Sequence, residues 1–337
     1  MYRSINRCIT GTAATLMMAI VVCMYSCKKE APAIQTDSGP TLVQVLQNNF
    51  QYSLFYHALK ITGLDSLLRT SGQYTLFVPD NGGFAQGGID SEKMLDGMNR
   101  DSLKNILLYH IVPGKIFFND IPATLDNEYK SVSGVTLYVS SFVDPTGAST
   151  PILEVNGRYS KKMDVAASNG VIQVLDGKLF NLPTHIVKDY ITGNPDYSFF
   201  IKALKKFGLF DQLGGPGPVT VFVPNNTVFI NNGITEDVLD GLDTVQYKKF
   251  LFSCYVLNPD RAFKNDFDQV PQLNSGGYYT SDGILLVNGG SLYVTSNHDQ
   301  SVFLGGYAVF TNADILMQNG IVHEISDILI YPQNMLK

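Results

Sequence analysis

One long block of sequence occurs twice in this chain. Residues 74–84 (YTLFVPDNGGF) return as residues 219–229 (VTVFVPNNTVF), so Phe77 pairs with Phe222 at an offset of 145. Solenoid repeats have periods of about 20–50 residues, so an offset of this length indicates that a whole domain has been duplicated. The sequence therefore predicts two tandem domains.

The duplication continues on both sides of that block. Further matching pairs are residues 58–59 with 203–204, residues 95–98 with 239–242, and residues 169–172 with 319–322, at offsets of 145, 144 and 150. The offset changes by only a few residues, as expected if insertions and deletions fall in surface loops. We expect a first domain over residues 41–188 and a second domain over residues 189–337.

The N-terminus has the layout of a secretory signal peptide. Arg3 and Arg7 precede a mostly apolar run over about residues 13–24, and no acidic residue occurs before Glu30. A membrane-spanning helix needs about 20 apolar residues, and this run is shorter. We therefore expect residues 1–26 to be a signal peptide that is removed on export.

The end of this segment resembles a bacterial lipobox, with Ser26 as the small residue before Cys27. The resemblance implies that Cys27 is lipidated and that residues 27–40 form a flexible tether, although Met24 and Tyr25 depart from the strictest pattern. A plain signal peptide or an uncleaved anchor is the alternative. The expected location is the outer membrane, with the domains exposed at the cell surface or facing the periplasm.

Cysteine usage leaves the mature protein without an intrachain disulfide. Cys8 and Cys23 lie in the predicted signal peptide and Cys27 is the predicted lipid site, so only Cys254 remains. Each domain must therefore be stabilised by its own core, which is feasible at this size. Cys254 lies in the apolar run 250–256, where we expect a buried, unreactive thiol.

The charge of the mature chain excludes some partners. Removal of residues 1–26 leaves 22 basic and 30 acidic residues, a net charge of −8. An acidic surface argues against binding to nucleic acid or to anionic membrane surfaces. We expect contact with the membrane through the lipid anchor only.

The pattern of each half predicts helices first and strands afterwards. Apolar residues at helical spacing predict helices within residues 50–61 and 197–208. Strands are predicted at residues 74–78, 135–139 and 171–175, and again at residues 219–223, 291–295 and 321–325. The Val-Asn-Gly sequences at 155–157 and 287–289 resemble turns between strands. Such segregation indicates an α+β fold and not alternating βαβ units.

Three blocks of the first half resemble the conserved blocks of fasciclin-like (FAS1) domains. Residues 75–84 are similar to the family's first block, residues 107–114 (LLYHIVPG) to its Tyr-His region, and residues 167–176 to its closing block. The second half repeats these blocks in a less regular form. The resemblance implies two tandem wedge-shaped β-sandwich domains with packed helices. Together with the lipobox it points to a tandem FAS1 lipoprotein of the Bacteroidetes type.

The resemblance also suggests a contact site. The family's Tyr-His region is discussed as a contact surface, which makes Tyr109 and His110 candidate partner-contacting residues. Ser253 and Cys254 occupy the corresponding positions of the second half, so such contact would favour the first domain. The alternative is a half-buried His110 imidazole that is hydrogen-bonded at a strand end.

No metal-binding pattern is visible in the sequence. A zinc site needs three or four converging ligands. His57, His185 and His298 have no second His or Cys at i+2, i+3 or i+4, and the His323-Glu324 pair lies in a predicted strand. We expect a structural role for His323, and neither a metal nor a cofactor for the chain.

Catalytic signatures are also missing. The sequence has no Gly-x-Ser-x-Gly motif and no phosphate-binding Gly-x-x-x-x-Gly-Lys-Ser/Thr motif. Residues 214–218 (GGPGP) are glycine-rich, but their prolines lack the backbone donors of a phosphate loop, so we expect a plain loop. The acidic pair Asp266 and Asp268 cannot be placed opposite each other from sequence. We expect no enzyme, and a hydrolase is the least favoured class.

The resemblance implies an adhesion or interaction module that contacts a protein or glycan of the cell surface or matrix. The alternative is an accessory surface lipoprotein of a nutrient-uptake complex that binds a glycan or a partner protein. The chain has no Trp and 18 Tyr, including Tyr278 and Tyr279 beside two glycines, which could stack on sugars. The alternative is that these tyrosines have a structural role and line the faces of a sheet.

Overall fold

The computed structural model describes residues 39–69, 72–142, 151–244, 261–269 and 308–329, and short strands within residues 256–304. These residues belong to one compact unit, Gly39–Lys337. The predictions for residues 1–26, Cys27, Cys254, His298 and Tyr278 fall outside the described residues. No helix among the described residues has both the length and the apolar composition needed to cross a bilayer.

The first domain places most of its helices before its strands, as predicted. Its α-helices are α1 (Leu42–Gln47), α2 (Ser53–Ile61), α3 (Asn81–Gln86), α4 (Glu92–Asp96) and α5 (Arg100–Tyr109). Its strands are β1 (Tyr74–Pro79), β2 (Ile111–Pro113), β3 (Asn127–Lys130), β4 (Thr136–Phe142), β5 (Ile152–Val155), β6 (Arg158–Ala167) and β7 (Gly170–Leu175). Single turns of 3-10 helix occur at Phe50–Tyr52, Leu67–Arg69 and Phe118–Asp120.

The strands of the first domain form one hydrogen-bonded sheet in the order β2-β1-β7-β6-β5-β4-β3. Strands β1 and β7 pair in parallel next to the edge strand β2, and their side chains alternate between two cores. Leu76 and Ile172 pack with the helices, whereas Phe77 and Leu175 pack on the opposite face with Val139 of β4. The α+β class is therefore confirmed. The two-layer sandwich and the wedge outline stay predictions.

The second domain repeats this plan. Its α-helices are α6 (Val187–Thr192), α7 (Ser198–Lys206), α8 (Asn226–Asn231), α9 (Glu236–Gly241) and α10 (Asp266–Gln269). Its strands are β8 (Val219–Pro224), β9 (Val256–Leu257), β10 (Tyr279–Thr280), β11 (Gly283–Leu285), β12 (Ser291–Leu292), β13 (Val294–Ser296), β14 (Val302–Leu304), β15 (Ala308–Met317) and β16 (Gly320–Ile325). The main sheet has the order β13-β14-β15-β16-β8-β9, with β8 and β16 parallel.

The repeated Phe-Val-Pro block ends a strand and begins a helix in both domains. The side chains of Asp80 and Asn225 accept hydrogen bonds from the backbone of α3 and α8 as N-caps. The next residues, Asn81 and Asn226, accept from the backbone nitrogens of Leu54 (3.2 Å) and Phe199 (3.0 Å), near the starts of α2 and α7. The block therefore has the same scaffold role in each copy.

A second repeated asparagine fixes where each domain starts. Asn169 accepts from the Leu42 nitrogen at the start of α1, and Asn319 accepts from the Val187 nitrogen at the start of α6, both at 2.8 Å. Val187 and Ile191 are buried in the second domain's core. The predicted division between residues 188 and 189 falls inside α6, so the second domain begins before Val187.

Candidate functional site

Tyr109 and His110 lie where α5 ends and β2 begins, and both are fully buried, with 0% of each residue exposed. A side chain with no exposed surface cannot contact a partner of the folded domain. The predicted role of these residues as partner contacts is therefore corrected, because both side chains point into the protein. Even the half-buried alternative for His110 understates its burial.

His110 connects the end of α5 to the segment that follows β7. Its Nδ1 donates to the Ile106 carbonyl at 2.8 Å, and its Nε2 accepts from the Phe180 nitrogen at 3.1 Å. The imidazole also stacks on the Phe180 ring, with centroids 4.8 Å apart. One donor and one acceptor require the neutral ring. Burial lowers the pKa of His110 to about 4, which keeps the ring neutral at physiological pH.

Tyr109 connects α5 to the far half of the sheet. Its hydroxyl donates to the Thr136 carbonyl at 3.0 Å and accepts from Asn156 Nδ2 at 2.9 Å. Burial raises the pKa of Tyr109 far above its ordinary value, and the Asn156 hydrogen bond opposes this only in part. The hydroxyl therefore stays protonated and holds Asn156 in place.

Asn156 and Gly157 form the turn between β5 and β6, as the Val-Asn-Gly sequence predicted. Both have positive φ angles, 46° and 77°, which is the backbone that Asn-Gly hairpin turns adopt. Asn156 is also hydrogen-bonded to β4. Its side-chain Oδ1 accepts from the Tyr138 backbone nitrogen at 2.9 Å, and its backbone nitrogen donates to the Tyr138 carbonyl at 2.8 Å. Tyr109 and Tyr138 together fix this turn.

The turn packs directly against the second domain. Asn265 Nδ2 donates to the Gly157 carbonyl at 3.1 Å. A Cβ atom on Gly157 would lie 2.8 Å from Asp314 Cγ and 2.9 Å from Phe263 Cδ1. Only glycine therefore fits, because of both the close approach and the positive φ. The sequence predicts the turn, but it contains no local signal for this contact between domains.

Tyr138 extends the contact. The Arg261 guanidinium lies 3.8 Å from the centroid of the Tyr138 ring, and the Phe263 ring lies 6.3 Å from it. At 3.8 Å the Arg261 contact is well within cation–π range. The contact between the domains thus combines a hydrogen-bonded turn with a ring-and-cation cluster.

Two buried carboxyl groups lie at the same contact. Glu154 is 1% exposed and Asp266 is 0% exposed. Burial raises the pKa of Asp266 well above its ordinary value, and the charges of Glu154 and Asp126 raise it further. Asp266 Oδ2 accepts from the Phe263 nitrogen at 2.6 Å. The sequence could not place Asp266, and the structure brings it near Glu154 of the other domain.

His323 has the structural role that was predicted. Its Nδ1 accepts from the Asp314 nitrogen at 3.2 Å, and its Nε2 donates to the Ala262 carbonyl at 2.9 Å. The first domain has the same arrangement 150 residues earlier, where Gln173 accepts from the Asp164 nitrogen at 2.9 Å. Burial lowers the pKa of His323. This histidine supports an irregularity in β15 and is not part of a zinc motif.

His57 lies apart from the contact between the domains, and His185 lies at its edge. His57 contacts Glu92 at 3.2 Å and Asp96 at 3.0 Å, two acidic residues that local spacing could not reveal. His185 is hydrogen-bonded to Thr184 at 2.9 Å. In the part of the chain that the structure describes, no group of three or more His, Cys, Asp or Glu residues is placed to hold a metal ion.

Two adjoining cavities lie between the domains and share four lining residues, Arg158, Asn312, Ala313 and Asp314. We call them together the interdomain groove. The first lobe has a volume of about 340 Å³ and includes Lys178. The second lobe has a volume of about 420 Å³ and includes Lys264. Both volumes are in the range of small-molecule binding sites.

Comparison with known proteins identifies relatives. The sequence matches the fasciclin domain family over residues 50–181 and 195–332. Periostin of Homo sapiens is 30% identical over 151 residues, which cover 45% of this chain and 17% of periostin. Protein sll1483 of Synechocystis sp. is 34% identical over 173 residues, which cover 50% of this chain and 89% of that protein.

Transforming growth factor-beta-induced protein ig-h3 of Sus scrofa is 28% identical over 187 residues, covering 55% of this chain and 26% of that protein. The chain thus spans only a small part of the two animal proteins. A solved FAS1 domain pair from the insect cell adhesion molecule Fasciclin I aligns with a TM-score of 0.40 and 18% identity, covering 86% of this chain and 99% of that one. Each of the two matched regions contains one copy of the duplicated block. The chain belongs to the fasciclin (FAS1) domain family and carries two copies of the domain in tandem.

Proposed function

We propose that this protein is a non-enzymatic adhesion or interaction module, anchored to the outer membrane and built from two contacting FAS1 domains. The observation that carries the proposal is the packing of the Asn156–Gly157 turn against Asn265, Phe263 and Asp314. Such packing gives the pair a defined mutual orientation. A defined orientation presents one continuous surface that includes residues of both domains, which suits binding more than catalysis.

The use of the buried polar groups supports a role without catalysis. His110 and His323 each engage both ring nitrogens with backbone groups, and the Tyr109 hydroxyl is shared between Thr136 and Asn156. A general base must reach a substrate proton through a free nitrogen or oxygen. These groups therefore hold the fold together through hydrogen bonds and are not free to take a proton from a substrate.

Anchoring is proposed from the lipobox alone. Replacement of Cys27 by Ser should abolish metabolic labelling with palmitate and move the protein from the membrane fraction to the soluble fraction. Labelling that persists in the Cys27→Ser variant would exclude Cys27 as the lipid site. Protease treatment of intact cells should remove both domains if they face outward, and complete protection would place them in the periplasm.

The role itself is tested by deleting the gene and measuring surface attachment and growth on individual polysaccharides. The adhesion role predicts reduced attachment, restored by the wild-type gene, with growth unchanged. Unchanged attachment with a growth defect on one polysaccharide would contradict it. That second pattern would support the accessory role in nutrient uptake, which the polar interdomain groove favours.

A further inference from the structure

The interdomain groove carries an excess of positive charge in a chain whose net charge is −6. Arg158 lines both lobes, Lys178 lines the first and Lys264 lines the second. Among the described residues, none of these three side chains is ion-paired to a carboxylate. Lys178 is exposed, and Arg158 and Lys264 are half-buried. Three unpaired cations in one concave site attract an anionic ligand.

The acidic groups of the groove do not cancel this charge. Asp176, in the second lobe, is already paired with Lys161 at 3.1 Å. Asp314 is almost completely buried, and its Oδ1 accepts from the Lys264 backbone nitrogen at 2.7 Å. Burial raises the pKa of Asp314, while the hydrogen bond from the Lys264 backbone nitrogen and the charges of Arg158 and Lys264 oppose that rise. The positive side chains therefore dominate the open part of the groove.

The rest of the lining indicates which anion fits. Exposed amide and hydroxyl side chains, those of Asn181, Thr184, Thr311 and Asn312, lie along both lobes. The first lobe also includes aliphatic side chains, whereas the second is mostly polar. A uronic acid unit combines a carboxylate, several hydroxyl groups and an apolar C–H face. An acidic peptide offers carboxylates but few hydroxyl groups to match the exposed amide and hydroxyl side chains of both lobes.

The arrangement of the cations indicates a ligand with repeated charge. Lys178 and Lys264 belong to different lobes, and Arg158 belongs to both, so positive charge follows the groove from one lobe to the other. An oligosaccharide that carries one carboxylate per sugar could place successive carboxylates against successive cations. A neutral glycan would gain nothing from this spacing.

From the unpaired cations and the polar, two-lobed lining, we propose that the interdomain groove binds an acidic oligosaccharide of the polyuronate type, with Arg158 as its central carboxylate-binding residue. This assignment deepens the interaction role proposed above and rests on it. Arg158 suits the task because a guanidinium can bind a carboxylate through two parallel hydrogen bonds. Lys178 and Lys264 act as point charges on either side.

The test is titration calorimetry on the full-length lipoprotein in detergent, at low ionic strength, with a tetramer of galacturonic acid as the probe. The neutral tetramer of galactose and a glutamate tetrapeptide are the comparison ligands. The variants are Arg158→Gln and Lys264→Gln, with Lys104→Gln, an exposed lysine outside the groove, as the matched control. Circular dichroism establishes that each variant is folded, and Lys178→Gln replaces any variant that is not.

The proposal predicts that only the acidic tetramer binds, that each groove variant weakens its binding about tenfold or more, and that Lys104→Gln changes it less than twofold. Equal binding of the neutral tetramer, no binding of the acidic one, or equal losses in all variants would each overturn the groove assignment. Tighter binding of the glutamate peptide would assign the site to acidic peptides instead. Attachment that depends on the protein but is unchanged by Arg158→Gln would leave the adhesion role standing and remove the groove from it.

Discussion

Asn156 Nδ2 donates a hydrogen bond to the Tyr109 hydroxyl at 2.9 Å. This bond joins the Tyr-His region of the first domain to the turn that contacts the second domain. Tyr109 itself is buried, so it acts on the contact between the domains through the position of Asn156 and Gly157. The buried Tyr109 side chain therefore supports the turn that contacts the second domain and is not itself a surface for partners.

Replacement of Gly157 by Ala should loosen the contact between the domains. The added Cβ would be 2.8 Å from Asp314 Cγ, and the positive φ of Gly157 adds backbone strain of about 1–2 kcal/mol. Gly134 provides a matched control, since its φ is 83° and a Cβ there meets nothing within 4 Å.

Urea denaturation and small-angle X-ray scattering would measure the two variants. We expect Gly134→Ala to lower the free energy of unfolding by the strain alone and to leave the radius of gyration unchanged. Gly157→Ala should cost more and increase the radius of gyration. Equal costs and equal radii in the two variants would mean that the turn does not hold the domains together.

His110 should make the first domain sensitive to acid. Its pKa is about 4 in the folded protein, compared with an ordinary value of about 6.5 in the unfolded chain. In this pH range His110 therefore binds a proton in the unfolded state but not in the folded state. The free energy of unfolding consequently decreases as the pH falls from about 6.5 to 4. The loss approaches about 3 kcal/mol at the lower limit.

The measurement compares the pH dependence of the unfolding free energy in wild type and His110→Gln, whose amide can still donate and accept. Wild type should lose stability relative to the variant below about pH 6.5. The exposed His185→Gln variant should follow wild type. Parallel profiles for wild type and His110→Gln would show that His110 is not held neutral by burial.

Asp266 should have the opposite pH dependence. Its pKa is raised, first by burial and then by the charges of Glu154, Asp126 and Asp314. The folded state therefore keeps a proton that the unfolded state releases above about pH 4, so stability is lost as the pH rises. The loss is up to about 1.4 kcal/mol for each pH unit below the folded pKa.

The Asp266→Asn variant keeps an oxygen acceptor for the Phe263 nitrogen and removes the titration. We expect it to become progressively more stable than wild type as the pH rises above about 4. The exposed Asp90→Asn variant is the control and should follow wild type. A constant difference between Asp266→Asn and wild type over this range would contradict the prediction.

The local elements could be predicted from sequence, whereas the contact between domains could not. The strand at residues 74–78, the Asn-Gly turn and the loop before β8 follow from local patterns, and the structure has all three. The burial of His110 depends on Phe180, which is 70 residues away in sequence. No local pattern records a contact over that separation, so the sequence could not show that His110 is buried.

The groove illustrates the same limit. Arg158, Lys178 and Lys264 are spread over more than a hundred residues, and each looks like an ordinary surface cation in the sequence. The packing of the second domain near Gly157 brings Lys264 to the groove that Arg158 and Lys178 of the first domain line. Their juxtaposition depends on the contact between the domains and not on any motif.

A double-mutant cycle between Tyr109→Phe and Asn265→Ala, followed by urea denaturation, tests the central claim most directly. The two side chains are linked through the Asn156–Gly157 turn, because Asn156 donates to the Tyr109 hydroxyl and Asn265 donates to the Gly157 carbonyl. Tyr109→Phe alone should cost about 1–3 kcal/mol, because Asn156 and Thr136 lose a buried hydrogen-bond partner. If Tyr109 supports the contact between the domains, the double mutant should lose less than the two single losses combined, by about 0.5 kcal/mol or more. Losses that add to within about 0.3 kcal/mol would show that Tyr109 and the interdomain contact are independent.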